Sequence, residues 1–417
     1  MGETFRALRS RNYRLFFIGQ TLSLTGSWMQ TVAMSWLVYR LTGSKVMLGT
    51  VALASQIPML VAAPIAGVIT DKVNRQKLLV MTQALALIQA AVLSALVLTG
   101  HVLPWHVIVL SAFIGIVNAF DMPGRQAFVP ELVEDRKDLS NVIALNSAQF
   151  NLARLIGPVV AGVTITLVGE GVCFLINAVS FLAVIWALLQ IHVTNERQVV
   201  STQNPLAELI AGARYAWKIQ PIRALLGLIS VASCASGSLQ QVFLPVYAKE
   251  DFKGNSSTLG NMYAAVAVGA LVAAYMLAKR KSIVGLGRWI IISSFIAGIS
   301  VGLFGIAPNV WVAIPILILH GFGGMKHMAA TNTLIQTIVD DHMKGRVLSF
   351  YAMAMVGAMP VGSFLSGIMA AHFGSAETLL VFSLSSILAS LLFIRAFPTF
   401  RQEIRPIYER KGIEFST

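Results

Sequence analysis

Apolar segments of roughly 20 residues, the length that a helix needs to cross a membrane, recur along the whole chain with short polar breaks between them. Mean hydropathy along the chain predicts twelve such helices. They lie near residues 15–40, 46–70, 78–100, 107–128, 141–168, 172–191, 223–247, 258–278, 288–307, 312–338, 347–372 and 377–397. The chain is therefore predicted to be an all-α membrane protein that crosses the bilayer many times.

The composition excludes several other classes of protein. Hydrophobic residues make up 56% of the 417 residues and charged residues only 12%, whereas soluble domains have roughly 25% charged residues. The net charge of +13 does not indicate a nucleic-acid-binding surface, because Lys and Arg lie between the apolar segments. Cys173 and Cys234 lie in different apolar segments, so no disulfide and no cysteine-bound metal is predicted. No metal and no cofactor are expected.

The distribution of basic residues predicts the orientation in the membrane. Most of the 31 Lys and Arg lie in the N-terminal segment, in alternate loops and in the C-terminal tail. The other side of the membrane has only Arg40, Lys45, Lys249 and Lys253. By the positive-inside rule, both termini are predicted to be cytoplasmic. The first apolar segment is too long for a signal peptide and is interpreted as an uncleaved first span.

The two halves of the chain resemble each other. Residues 130–135 are similar to 336–341, and residues 157–162 are similar to 362–367, in each case close to half the chain apart. Six-helix halves of this kind are a repeat pattern of transporters, with the substrate site near the midplane of the membrane. The predicted organisation is an N-terminal bundle at 1–191, a cytoplasmic linker at 192–222 with an amphipathic surface helix at 207–217, a C-terminal bundle at 223–397 and a cytoplasmic tail at 398–417.

A charged motif follows the second apolar segment. It reads Gly67-Val-Ile-Thr-Asp71-Lys72-Val-Asn-Arg75-Gln-Lys77. The motif resembles the signature Gly-x-x-x-Asp-Arg-x-Gly-Arg-Arg of the major facilitator superfamily at Gly67, Asp71 and Arg75, and departs from it at Lys72 and Asn74. The resemblance implies the major facilitator fold, in which twelve transmembrane helices form two pseudo-symmetric six-helix bundles.

Two further segments resemble one branch of that superfamily. Residues 121–131 and 336–347 are similar to the exporters that include macrolide efflux pumps and enterobactin exporters. Together with the pattern of spans, the resemblance covers essentially the whole chain. It implies a secondary transporter that exports small molecules.

Charged residues of the first half are predicted to form a cytoplasmic gate. The carboxylate of Asp71 can face the positive N-terminal end of a neighbouring helix, which the resemblance identifies as the eleventh span. Arg75 and Asp121 are expected to complete a charge relay, with Arg125, one turn further on, as the competing partner of Asp121. A fixed ion pair is favoured over a proton carrier at this position.

The fifth span carries a motif for close helix packing. Gly157, Pro158 and Gly162 resemble the Gly-Pro-rich motif of major facilitator antiporters. Small residues let helices approach closely and proline kinks a helix. Packing alone is the favoured explanation for the two glycines.

Cations within the spans are candidates for substrate recognition. A cation in mid-span costs at least ~2.5 kcal/mol and normally faces a cavity or an ion partner. We hypothesise that Arg154, with His320, Lys326 and His327 of the tenth span, lines a central cavity that favours an anionic or polarisable substrate. The alternative, equally supported, is that Lys326 extends to the inner interface and the histidines bind backbone carbonyls.

Uncharged polar residues also lie at mid-membrane positions in unusual number. Of these, Gln149 and Asn118 are predicted to line the same wet cavity, together with the cations. His320 and His327 have side chains that titrate near neutral pH, which offers a route for proton coupling. Residues 110–117 of the fourth span lack the arginine motif of many proton-driven exporters, so the residue that couples transport to protons stays open.

The sequence contains no Walker loop, zinc signature or nucleophile motif, so neither an ATP-driven pump nor an enzyme is predicted. The favoured function is proton-coupled antiport that exports amphipathic or anionic drugs, siderophores or metabolites by alternating access. A lysophospholipid flippase of the same fold and, more distantly, a passive channel stay open. The expected setting is a monomer in a bacterial cytoplasmic (inner) membrane, with lipid, a small-molecule substrate and protons as partners.

Overall fold

A computed structural model of the chain describes residues 3–133, 135–192, 205–280 and 284–410. Nearly all of these residues are helical. The longer helices are α1 (Arg11–Thr42), α2 (Lys45–Lys72), α3 (Arg75–Leu98), α4 (Pro104–Phe128), α5 (Leu139–Val168), α6 (Glu170–Gln190), α7 (Pro205–Lys218), α8 (Gln220–Lys249), α9 (Ser256–Ala278), α10 (Leu286–Gly305), α11 (Val310–Ile338), α12 (Lys344–Phe373) and α13 (Ser375–Arg410).

Eleven helices in the described part of the chain are long and apolar enough to cross a membrane, namely α2–α6 and α8–α13. Helix α1 has 32 residues and is therefore also long enough. Its middle is rich in Gln, Ser and Thr, which lowers its mean hydropathy. With α1, the described residues contain helices for the twelve spans that the sequence predicts. The membrane class and the all-α fold class are thus confirmed.

The helices begin and end where the polar breaks predict. Gly43, in the left-handed region at φ 58°, ends α1. Ser44 then caps α2, because its hydroxyl accepts a hydrogen bond from the Met47 N–H at 3.2 Å. Asn74 caps α3 in the same way. These breaks are fixed by local chemistry, which is why sequence reading places them well.

Packing divides the chain into two units. The first contains residues 1–201 and 253–264, and the second contains residues 202–252 and 265–417. The pairing of helices within them is repeated. In the first unit α1 and α3 both pack on α6, and in the second unit α8 and α10 both pack on α13. This repetition agrees with the internal similarity of the sequence.

Two helices of the second unit contain a π-helical turn. The turn in α8 covers Ser238–Phe243 and the turn in α12 covers Met353–Gly357. The helices approach closely beside these turns, since a Cβ on Gly237 would collide with the Met359 backbone and one on Gly362 with the Cys234 backbone. Glycine is therefore required at both positions by packing.

The last helix is longer than predicted. The sequence places the end of the last span near residue 397, whereas α13 continues through Pro398 and Pro406 to Arg410. Phe400, Ile404 and Tyr408 are buried along one face of this extension. An amphipathic helix therefore packs on the second unit where a tail was expected.

The predicted linker helix is present as α7. It packs on α12, where Gly212 lies against the Arg346 side chain. The Tyr215 hydroxyl donates a hydrogen bond to Asp340 at 2.9 Å. Trp217 on the same helix is 72% exposed. This exposed tryptophan fits a helix that lies along a membrane surface.

Candidate functional site

Asp121 is a buried carboxylate of the first unit with partners on two helices. It is 2% exposed on α4. Its Oδ1 accepts hydrogen bonds from Thr82 Oγ1 at 2.9 Å and from Gln83 Nε2 at 2.7 Å, both on α3. Arg125, one turn further on, forms an ion pair with Oδ2. Arg75 and Arg125 are the two predicted partners of Asp121, and the structure pairs it with Arg125.

Arg75 lies at the start of α3 and pairs with a different carboxylate. Its guanidinium forms an ion pair with Glu131 and donates to the Ala127 carbonyl at 3.3 Å. The structure does not bring Arg75 and Asp121 together as an ion pair. The Asp71 side chain lies outside the described residues. No atom of the described residues lies within 4 Å of a Cβ placed on Gly67.

Arg154 lies midway along α5, beside two aromatic side chains. Its guanidinium carbon is 5.7 Å from the ring centroid of Trp28 on α1. The Trp28 ring meets Phe150 edge-on at a centroid distance of 5.9 Å. A guanidinium over an indole gains cation–π attraction, and guanidinium groups are suited to carboxylate and phosphate oxygens. This trio, named the Arg154 cluster below, can therefore contact both a charged and an aromatic part of a ligand.

The two uncharged candidates of the first unit differ in their surroundings. Gln149 is buried, and its amide nitrogen donates to the Phe17 carbonyl and to Thr21 Oγ1, both at 2.6 Å. Gln149 therefore joins α5 to α1. The Asn118 side chain on α4 is exposed.

Gly157, Pro158 and Gly162 all lie at close helix contacts. A Cβ on Gly157 would lie 2.5 Å from the Trp28 Cβ, and one on Gly162 would lie 2.8 Å from the Ser257 Cα at the start of α9. Pro158 is buried, and its carbonyl faces Gly260. These three residues hold α5 against α1 and against the first turns of α9.

His320 is buried within the second unit with partners for both ring nitrogens. Its Nδ1 lies 3.3 Å from the Ala297 carbonyl on α10, and its Nε2 lies 3.2 Å from Ser236 Oγ on α8. Gln240 donates to the same hydroxyl at 2.9 Å, from within the π turn. The sequence predicts a carbonyl as the alternative partner for this histidine, and the structure places one there.

His327 lies on the same face of α11 but in a different setting. It is 1% exposed and faces the backbone of Ile290, yet neither ring nitrogen has a partner with regular hydrogen-bond geometry. Thr331, one turn further on, is also buried with no partner for its hydroxyl. Buried polar groups of this kind are rare and call for a functional or hydration explanation.

Lys326 is directed towards an aromatic side chain near the start of α10. Its Nζ lies 3.5 Å from the ring centroid of Trp289 and 5.1 Å from that of Phe322. Arg280 lies over the same indole, 4.4 Å from its centroid. Lys326 is therefore separated from His320, although the sequence groups them. A role for either at a central cavity stays a prediction.

Sequence reasoning missed a buried amide network in the first unit. Asn177 donates to Gln30 at 2.8 Å, Gln30 donates to Gln89 at 3.0 Å, and Gln89 donates to the Leu110 carbonyl at 3.4 Å. The network joins α6, α1, α3 and α4. Gln30 and Asn177 were noticeable as polar residues in apolar segments, but only the tertiary packing brings Gln89 to them. Each of the three amides both donates and accepts a hydrogen bond within the first unit.

The ion pair of Arg40 with Glu170 was also missed. The Arg40 Nε lies 2.7 Å from Glu170 Oε1 and joins the end of α1 to the start of α6. Within the described residues, no group of three His, Cys, Asp or Glu side chains is arranged to hold a metal ion.

The fold is that of known transporters. A transporter of the POT family in complex with 5-aminolevulinic acid superposes with a TM-score of 0.75 at 12% identity, over 94% of this chain and 97% of that one. A bacterial homologue of the lysosomal transporter Spinster gives 0.75 at 13% identity, over 95% and 98%. The two repeated units of this chain therefore have the fold of these multi-pass transporters.

The sequence comparison specifies the family. The family model described as transmembrane secretion effector matches residues 2–407. The chain therefore belongs to the transmembrane secretion effector family, which confirms the predicted superfamily and its exporter branch.

Three similar proteins support the same class of transporter. A staphyloferrin A transporter of Staphylococcus aureus is 28% identical over 91% of this chain and 95% of its own length. The multidrug efflux pump Tap of Mycolicibacterium fortuitum is 25% identical over 88% and 91%. The enterobactin exporter EntS of Escherichia coli is 23% identical over 85% and 84%. The chain is an efflux or secretion transporter of small molecules, and it is not an enzyme.

Proposed function

We propose that this transporter exports small amphipathic anions by alternating access. The observation that carries the proposal is the Arg154 cluster, which combines a cation with two aromatic side chains at mid-membrane depth. The cost of placing a guanidinium at this depth is consistent with a role in binding. The names of the relatives include two siderophore transporters. Siderophores carry carboxylate or catecholate oxygens on a larger body, and so they fit this chemistry.

The Arg154 cluster suits such a ligand for a physical reason. Arginine binds oxyanions through paired N–H groups, and hydrogen bonds to charged groups contribute about 1.5–3 kcal/mol. Trp28 and Phe150 supply apolar area for an aromatic or aliphatic body. Asn118, exposed on α4, is proposed to add a hydrogen-bonding group to the same site.

The gate is proposed to lie at the cytoplasmic side, where the motif residues Gly67, Asp71 and Arg75 follow the second span. The ion pair of Arg75 with Glu131 joins the start of α3 to the turn after α4, and Asp121 joins α4 to Thr82 and Gln83 of α3. With α3 and α4 held in this way, Asp71 at the end of α2 is proposed to contact a helix that moves during transport. Both termini are proposed to be cytoplasmic, and the working unit is proposed to be a monomer.

Proton antiport is the proposed energy source. His327 supports this proposal, because its buried ring has no regular hydrogen-bond partner in the state described. His320, whose two nitrogens both have partners, is proposed to be structural. Lys326 is proposed to act at the membrane interface rather than on the substrate.

Transport by purified protein in proteoliposomes tests the proposal. The probes are a carboxylate siderophore, a catecholate siderophore, the cationic dye ethidium and a fluorescent lysophospholipid, each measured by counterflow with and without a pH gradient. Saturable counterflow of the siderophores, accelerated by the gradient, is expected. Transport confined to the lysophospholipid would support the flippase, and unsaturable flux would support the channel.

The Arg154→Ala variant makes the test specific. Loss of the guanidinium is expected to weaken the apparent affinity for the anionic probes about tenfold or more, by the free energy of a charged hydrogen bond. Arg154→Lys is expected to retain part of that affinity. Arg14→Ala, at an exposed arginine of α1, is the matched control. Unchanged siderophore affinity in Arg154→Ala would remove the cluster from the binding site.

A further inference from the structure

A cleft of about 240 Å³ lies in the second unit, where α10 begins and the extension of α13 packs beside it. Its walls include the apolar residues Leu286, Leu334, Phe400, Ile404 and Tyr408. The same five residues belong to a buried hydrophobic cluster of that unit. The cleft is therefore a preformed feature of the packed unit rather than a gap between side chains at a loose surface.

Positive charge is concentrated at this cleft. Arg288, in the first turn of α10, and Arg401, on α13, both line it and both are exposed. No side chain caps the first turn of α10, which begins after Gly285, so the positive end of the helix dipole adds to the two guanidinium groups. Among the described residues, the lining includes no Asp or Glu. The cleft thus combines two exposed cations with the edge of an apolar cluster.

Neighbouring aromatic residues indicate the depth of the cleft in the membrane. Trp289 follows Arg288 directly and contacts both Lys326 and Arg280. Tryptophan and long basic side chains are typical of the level of the lipid headgroups. On the proposed orientation, this end of α10 faces the cytoplasm. The cleft then opens at the headgroups of the inner leaflet.

We propose that this cleft binds the headgroup of an anionic phospholipid, such as phosphatidylglycerol or cardiolipin. The phosphate lies between Arg288 and Arg401 near the first turn of α10, and the glycerol and upper acyl chain contact the half-buried Phe397. Basic pockets between transmembrane helices on the cytoplasmic side bind such headgroups. A free phosphate would use the same two arginines, but only a lipid phosphate is also held at this level by its acyl chains. The proposal concerns lipid and does not depend on the exported substrate.

Native mass spectrometry of the full-length protein tests this proposal. The detergent-solubilised protein is titrated with cardiolipin, phosphatidylglycerol or phosphatidylethanolamine of matched acyl chains. The wild type is expected to retain the anionic lipids in preference to phosphatidylethanolamine. In the double variant Arg288→Ala/Arg401→Ala, the affinity for the anionic lipids is expected to fall by roughly fivefold per arginine removed.

Two controls make the result interpretable. Arg405→Ala removes an arginine from the same helix that pairs with Glu409 and lies outside the cleft, so lipid binding is expected to stay at the wild-type level. The charge-conserving variant Arg288→Lys/Arg401→Lys is expected to retain most of the preference. Equal lipid retention by the alanine double variant and the wild type would overturn the proposal. So would full displacement of the lipid by millimolar inorganic phosphate.

Discussion

The carboxylate of Asp121 is surrounded by donors from two helices. Thr82, Gln83 and Arg125 all interact with it, while only 2% of the residue is exposed. A buried charge is tolerated only when partners replace its lost hydration. The four side chains therefore act as one structural unit that fixes α3 to α4.

Asp121→Asn is expected to lower the free energy of unfolding by about 1–3 kcal/mol, because an amide is a weaker acceptor and Arg125 loses its counter-charge. Thermal unfolding in detergent measures the change. Adding Arg125→Gln is expected to restore part of the loss. Asp341→Asn, in an exposed pair with Lys344, is the matched control and should cost under about 1 kcal/mol. Equal melting of the two single variants would contradict this assignment.

The residue contacts were predictable where they are local. The pairing of Asp121 with Arg125 follows from one helical turn of separation, and the seven-residue spacing places His320 and His327 on one face. Thr82 and Gln83 were not predictable as partners, since their approach depends on how α3 and α4 are aligned. The partner of Arg75 was missed for the same reason.

Whole helices were better predicted than contacts. Length and hydropathy predict each span. Capping residues mark where one span ends and the next begins, as Gly43 and Ser44 do between α1 and α2. The extension of α13 was missed because Pro398 and Pro406 suggest a break. The apolar residues at 400, 404 and 408 have helical spacing, and this signal was available in the sequence.

Two glycine-to-alanine substitutions, one in α5 and one in α8, are expected to change the free energy of unfolding in opposite directions. Gly162→Ala in α5 would place a Cβ 2.8 Å from the Ser257 Cα. This overpacking is expected to lower the free energy of unfolding by about 1–3 kcal/mol. Gly227 in α8 has nothing within 4 Å of a Cβ. Gly227→Ala is expected to raise the free energy of unfolding by about 0.5–1 kcal/mol, because alanine favours a helix more than glycine does. Shifts in melting temperature of the same sign would contradict this difference.

The two-unit organisation of the molecule follows from the repeat in its sequence. The grouping of residues 253–264 with the first unit was not predictable, because no sequence signal separates the first turns of α9 from the rest of that helix. The contact depends on tertiary packing of Gly162 and Thr166 on Ser256 and Ser257.

A disulfide between α5 and α9 is expected to stop transport if this contact opens during each cycle. Thr166 Oγ1 and Ser257 Oγ are 3.0 Å apart, so the two side chains meet directly and this pair is chosen for cysteine substitution. Thr166→Cys/Ser257→Cys, with both native cysteines replaced by Ala, should lose counterflow on oxidation and regain it on reduction.

The matched control joins two helices within the second unit. Ser294 and Ser390, on α10 and α13, have hydroxyls 2.7 Å apart. Ser294→Cys/Ser390→Cys is expected to remain active when oxidised. Full activity of the oxidised α5–α9 variant would show that transport proceeds without separation of these helices.

The π turn in α8 matters for any residue-by-residue map of the transport path. Such a turn holds one residue more than an α-helical turn, and one residue corresponds to roughly 100° of rotation about the axis. Positions after Phe243 are therefore turned by that angle relative to a regular helix extrapolated from Gln220. If a labelling scan of α8 is interpreted on a regular helical wheel, the residues after Phe243 will be assigned to the wrong face of the helix.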